Sequence, residues 1–117
     1  MAMYEDRIVL CAANSYEEKY YLNPAFEELP EDVKDELKIM CVLYVHDVGG
    51  ILTLVFDEEG ELQFEVMTEE FDPMFDDIGS RLLIKKLQTE KAGLLEAIQM
   101  YFQVRPWVFL QGEDLKV

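Results

Sequence analysis

The sequence predicts an α+β fold in which a small antiparallel sheet is covered by helices on one face. Short β-prone apolar runs, near residues 8–13 and 51–67, alternate with segments of helical periodicity near 30–48 and 73–104. The 117 residues suffice for one core and no second one, so we expect residues 1–117 to form a single domain. Half of the residues are hydrophobic, a composition typical of a globular chain.

The first predicted strand is the apolar run of residues 8–13, which is short and β-branched at its start. Residues 20–22 either form a second strand that closes a hairpin around residues 14–18, or follow a brief helical turn. The second reading rests on Ser15 and Glu18, which have the spacing of a capping box. We favour the hairpin, which would add a strand to the sheet.

The first predicted helix lies near residues 30–48. Pro30 suits the first helical turn, where no amide hydrogen is needed, and apolar residues then recur along one helical face. Residues 39–45 are apolar nearly all round, so we expect this helix to be covered on more than one side. A buried strand is the alternative for that segment. Gly49 and Gly50 are typical of a helix C-terminus.

Residues 51–67 predict a β-hairpin. Residues 51–56 are apolar on both faces, which indicates a central strand. A turn follows in which Gly60 can take a positive φ. Residues 62–66 then alternate between apolar and polar side chains, which indicates a strand nearer the edge of the sheet.

A long helix is predicted near residues 73–104, with Asp72 as N-cap and Pro73 at the first helical position. Unbroken from residue 74 to 103, it would extend about 45 Å. A domain of this length has a radius of gyration of about 13–14 Å. The helix must therefore kink, with Gly79 and Gly93 as candidate breaks, or meet a partner.

Heptad spacing along this helix marks a candidate surface for self-association. The side chains concerned are Leu87, Leu94, Ile98 and Tyr101. Pro106 stops the helix, and an apolar tail follows at residues 107–110. Such tails commonly dock as an edge strand or pack beneath a helix.

The chain is strongly acidic, with 25 Asp and Glu against 10 Lys and Arg and a net charge of −15. This charge disfavours nucleic acids and anionic membranes as direct partners, and favours a basic protein. No Lys or Arg lies between Lys38 and Arg81, whereas the predicted helix that follows is relatively basic. One interpretation is that the acidic region and the basic helix attract each other, within a monomer or across a dimer. The other is that both are solvated faces that do not pair. Five acids of the hairpin are candidates for an acidic binding face: Asp57, Glu58, Glu59, Glu61 and Glu65.

Motifs for catalysis, cofactors and metals are missing from the sequence. The single histidine, His46, lies five residues after Cys41, which is not a same-face helical spacing. The acids around Gly60 lack the spacing of a calcium-binding EF-hand loop, and no zinc-binding cysteine pair or phosphate-binding glycine loop occurs. We therefore expect no catalytic residue, no cofactor and no metal.

No apolar run reaches the ~18–20 residues needed to span a bilayer. The N-terminus is acidic before its apolar stretch, unlike a signal peptide. We expect a cytoplasmic protein in which Cys11 and Cys41 are reduced thiols.

Three stretches, residues 14–24, 40–54 and 78–91, carry a resemblance to a family of short, acidic, uncharacterised proteins from anaerobic Firmicutes. That family is a domain of unknown function. The resemblance therefore implies a small bacterial cytoplasmic protein and supplies no activity.

The leading hypothesis from the sequence is a non-enzymatic, cytoplasmic protein-interaction module, homodimeric, with an acidic binding face. The alternative is a small-molecule or metal-dependent enzyme that uses carboxylates with His46 or Cys41. A third hypothesis is an acidic mimic of nucleic acid that captures basic proteins.

Overall fold

The structure is a computed structural model that describes residues 8–104. It has the predicted α+β fold, an antiparallel sheet with helices. The strands and helices, in chain order, are β1 Ile8–Asn14, β2 Lys19–Leu22, α1 Glu31–Val48, β3 Ile51–Phe56, β4 Leu62–Met67, α2 Asp77–Glu90 and α3 Ala92–Val104. A 3-10 turn at Pro24–Phe26 connects β2 to α1.

The four strands lie in the order β2-β1-β3-β4, and each neighbouring pair is antiparallel. The hairpin interpretation of the N-terminal segment is confirmed. Its turn forms because the Asn14 side chain accepts hydrogen bonds from the backbone N–H groups of Tyr16 and Glu17, at 2.8 and 3.1 Å. The expected positions of the later strands are also confirmed, with β3 inside the sheet and β4 at its edge.

The segment 39–45 is helical, as part of α1. Pro30 stands at the N-cap, one residue outside the helix. Gly49, with φ 84°, ends the helix, and its N–H donates to the carbonyl of Val45. A Cβ on Gly50 would come within 3.0 Å of the Met67 carbonyl oxygen, so a glycine lets β3 begin directly after the helix.

The predicted long helix is two helices, α2 and α3, which meet at Lys91 with φ −107° and ψ 20°. Its predicted start at Asp72 is wrong, because α2 begins at Asp77. The Asp72 carboxylate accepts the N–H of Met74 in a local turn, while the Asp76 carboxylate accepts the N–H of Gly79 and caps the helix.

The core lies between one face of the sheet and the helices α1 and α3. Phe56 of β3 stacks on Phe102 of α3 at a centroid distance of 4.1 Å, and Phe26 stacks on Phe56 at 5.6 Å. Alternate residues of the strands face the other side of the sheet, where Tyr21 and Met67 are exposed. Helix α2 packs against α1 and α3.

Within residues 8–104, no helix combines the length and the apolar character needed to cross a membrane. The apolar tail at residues 107–110 lies outside the described residues.

Candidate interaction surface

The predicted acidic face lies on the β3–β4 turn and on β4. Glu58, Glu59 and Glu61 are exposed there, whereas Asp57 and Glu65 are half-buried. The Asp57 carboxylate organises the turn, because one of its oxygens accepts the N–H groups of Glu59 and Glu61, each at 2.9 Å. The other oxygen accepts from the Gln63 side chain at 3.0 Å. Asp57 is therefore a structural residue of this surface as well as a charged one.

Carboxylate oxygens of Asp57, Glu59 and Glu61 lie within 4.8 Å of one another, a spacing that a hard cation accepts. Hydrogen bonds of the turn already occupy both oxygens of Asp57. Exposed groups of acids such as this one are common on proteins that bind no ion there.

The four heptad residues fall on two helices, because the chain breaks at Lys91. Leu87 lies on α2, and the other three lie on α3. Ile98 is only 1% exposed and belongs to the core, while Leu87, Leu94 and Tyr101 are half-buried and pack against it. These side chains contribute to the fold of the monomer, and their contact with a partner stays a prediction.

Helices α1 and α2 run antiparallel and are tied together at two places. The buried hydroxyls of Tyr44 and Ser80 form a hydrogen bond near the end of α1 and the start of α2. At the opposite end, the Lys91 ammonium lies 3.9 Å from the Glu36 carboxylate. Burial raises the pKa of Tyr44, which keeps its phenol protonated and able to form this bond.

A groove of about 330 Å³ lies between these two helices. Its apolar walls come from both sides and comprise Ile39, Met40, Leu43, Leu83 and Leu87. Its rim is charged and carries Glu36 and Asp47 from α1, with Lys86 and Glu90 from α2 and Lys91 after it. We call this feature the α1–α2 groove.

Large apolar side chains are exposed at the groove and beyond it. Ile39 and Leu43 are separated by one turn of α1 and line the groove together. Their side chains are 57% and 56% exposed. Exposed apolar side chains continue on α2 and on the segment before it, at Phe71, Met74, Ile78 and Leu82. Water-exposed apolar surface on paired helices is typical of a docking surface. The apolar run 39–45 predicted a helix covered on more than one side. Helix α1 does contact both the sheet and α2, but Ile39 and Leu43 stay exposed.

The two residues considered for catalysis, Cys41 and His46, have different surroundings. Cys41 is buried, with its sulfur 3.8 Å from that of Cys11, and this contact together with burial raises its pKa. A protonated, inaccessible thiol is a poor nucleophile. His46 is exposed, with Nδ1 3.7 Å from the Asp47 carboxylate. This geometry does not place a base beside an activated nucleophile.

No curated protein and no solved structure matches the chain. A family model does match, over residues 7–112, and its description is a family of unknown function. The resemblance to uncharacterised proteins is confirmed to that extent, and the chain belongs to the family of unknown function DUF6145.

Proposed function

We propose that this protein is a non-enzymatic, cytoplasmic protein-interaction module that forms a homodimer through the α1–α2 groove. The observation that carries the proposal is that Ile39 and Leu43, on the apolar wall of this groove, are more than half exposed to water. Burying such side chains against a second copy removes apolar surface from water, at about 25 cal/mol per Å². The free cysteines Cys11 and Cys41 suit a reducing compartment.

Charge on the groove supports a second copy of this chain as its occupant. The α1 side of the rim carries the acids Glu36 and Asp47. The α2 side carries Lys86 and Lys91 with one acid, Glu90, and is therefore the more basic edge. Lys86 has no ion-pair partner among residues 8–104. In a two-fold dimer each surface meets its own copy, so the acidic edge of one groove can face the basic edge of the other.

The acidic face on the β3–β4 hairpin would then serve a different partner. Its exposed Glu58, Glu59 and Glu61 lie on the turn between β3 and β4, whereas the groove lies between helices. A face of this charge favours a basic protein, whose binding should weaken as salt screens the attraction.

Sedimentation equilibrium of the full chain tests the dimer. The wild type is expected at twice the 13.7 kDa chain mass. Leu43→Glu places a charge in the groove and should shift the mass to 13.7 kDa. Leu43 is half exposed, so the monomer should still fold, which circular dichroism verifies.

Met100→Glu is the matched control. Met100 is 64% exposed on α3 and does not line the groove, so this variant should remain dimeric. A wild type that sediments as a monomer at every concentration would refute the proposal. So would a Leu43→Glu variant that keeps the dimer mass.

A further inference from the structure

A second cavity, of about 620 Å³, lies between the β1–β2 hairpin and α1. It uses a different face of α1 from the groove, since the helix contributes Lys38, Val42, Val45 and His46 here. This volume lies within the range of ordinary small-molecule sites, about 300–1,000 Å³. We call it the hairpin cavity.

The hairpin cavity is cationic, although the chain has a net charge of −15. Lys19, Lys38 and His46 line it, against a single carboxylate from Glu18. Neither lysine forms an ion pair within the described chain. Elsewhere in the same fold Lys34 reaches two carboxylates, Glu27 at 3.4 Å and Glu31 at 3.1 Å. Two unpaired ammonium groups at one cavity in so acidic a protein favour an anion there.

The remaining walls of the cavity combine apolar side chains with the Tyr20 ring and the polar residues Asn14 and Ser15. Ala13, Val42 and Val45 offer aliphatic surface, and the Tyr20 ring lines the cavity beside them. The Tyr20 hydroxyl is buried next to the Cys11 thiol and has no oxygen or nitrogen partner among residues 8–104.

We propose that the hairpin cavity binds a small amphiphilic organic anion. Its acidic group lies between Lys19 and Lys38, and its apolar body packs on Val42 and Val45. The aliphatic walls disfavour a fully hydrated anion such as inorganic phosphate, because burying its charge against them is costly. This site is independent of the dimer, since the two cavities use different faces of α1.

Two carboxylates of different shape, 2-naphthoate and decanoate, are the probes, and isothermal titration calorimetry of the full chain measures their binding. We expect saturable binding of at least one of them, and at least tenfold weaker binding of its uncharged amide. Inorganic phosphate should not compete. Lys38→Glu should weaken carboxylate binding at least tenfold, because it reverses a charge at the site. The variant should fold, since Lys38 is exposed.

Lys86→Glu is the matched control, since Lys86 is an exposed lysine of the α1–α2 groove and does not line the hairpin cavity. It should leave carboxylate binding within twofold of the wild type. The proposal is overturned if neither carboxylate binds saturably, if the amides bind as well as the acids, or if Lys86→Glu weakens binding as much as Lys38→Glu does.

Discussion

Raising the pH above the ordinary range of a thiol should destabilise the fold through Cys41. This side chain is 0% exposed on α1, and its sulfur lies 3.8 Å from that of Cys11 on β1. The contact with Cys11, followed by burial, raises the pKa of Cys41. The folded protein therefore keeps this thiol protonated at pH values where the unfolded chain ionises it.

The sign and size of the effect follow from this difference. Below about pH 8.5, the ordinary thiol pKa, both states hold the proton and the contribution is constant. Above it the unfolded chain alone loses the proton, so the free energy of unfolding falls as the pH rises. The expected loss from Cys41 is about 1.4 kcal/mol at pH 9.5 and about 2.7 kcal/mol at pH 10.5, as long as the folded pKa stays above these values.

Urea unfolding of the wild type and Cys41→Ala, measured from pH 7 to 10.5 under reducing conditions, isolates this contribution. The alanine variant lacks the ionising group, so ionisable groups distant from Cys41 cancel in the difference. The unfolding free energy of the wild type minus that of the variant should be constant below pH 8. It should then fall by about 1.4 kcal/mol at pH 9.5 and by about 2.7 kcal/mol at pH 10.5. A difference that stays constant up to pH 10.5 would refute a buried, protonated Cys41.

Four further substitutions test the packing of the helices by urea unfolding. Gly93→Ala should stabilise the protein by about 0.4–1 kcal/mol, since a Cβ there meets open space in the first turn of α3 and alanine limits the unfolded chain more than glycine does. Gly79→Ala should show no such gain, because its Cβ would overlap the N-cap carboxylate of α2, and equal gains would contradict this cap. Ser80→Ala leaves the buried Tyr44 hydroxyl without its partner and should cost about 1–3 kcal/mol. Phe102→Ala removes a stacked ring of the core and should cost about 3–5 kcal/mol; a loss below 1 kcal/mol would contradict the core position.

The elements that depend on local chemistry could be predicted from the sequence. The hairpin of β3 and β4 was predictable because alternation and the Gly60 turn are local signals, and Gly49 marks the end of α1. The start of α2 was not predictable in the same way. Both Asp72 and Asp76 are acceptable caps, and the choice depends on long-range contacts, since Tyr16 donates to Asp72 at 2.5 Å.

The break between α2 and α3 and the α1–α2 groove also depend on tertiary structure. The chain turns at Lys91 rather than at Gly93, and the ammonium of Lys91 lies near Glu36 of α1. The groove exists because Tyr44 and Ser80, 36 residues apart, hold the two helices together. The periodicity of a sequence describes one helix at a time, so it does not indicate which apolar side chains of α1 the second helix leaves exposed.

The most direct test of the account is an isotope-filtered NOE experiment on an equal mixture of labelled and unlabelled chains, which detects only contacts between copies. The account predicts contacts between copies from the methyl groups of Ile39, Leu43 and Leu83 at the α1–α2 groove. An absence of any contact between copies would contradict the dimer. Contacts confined to Tyr21 and Met67, on the far face of the sheet, would place the interface elsewhere and contradict the role of the groove.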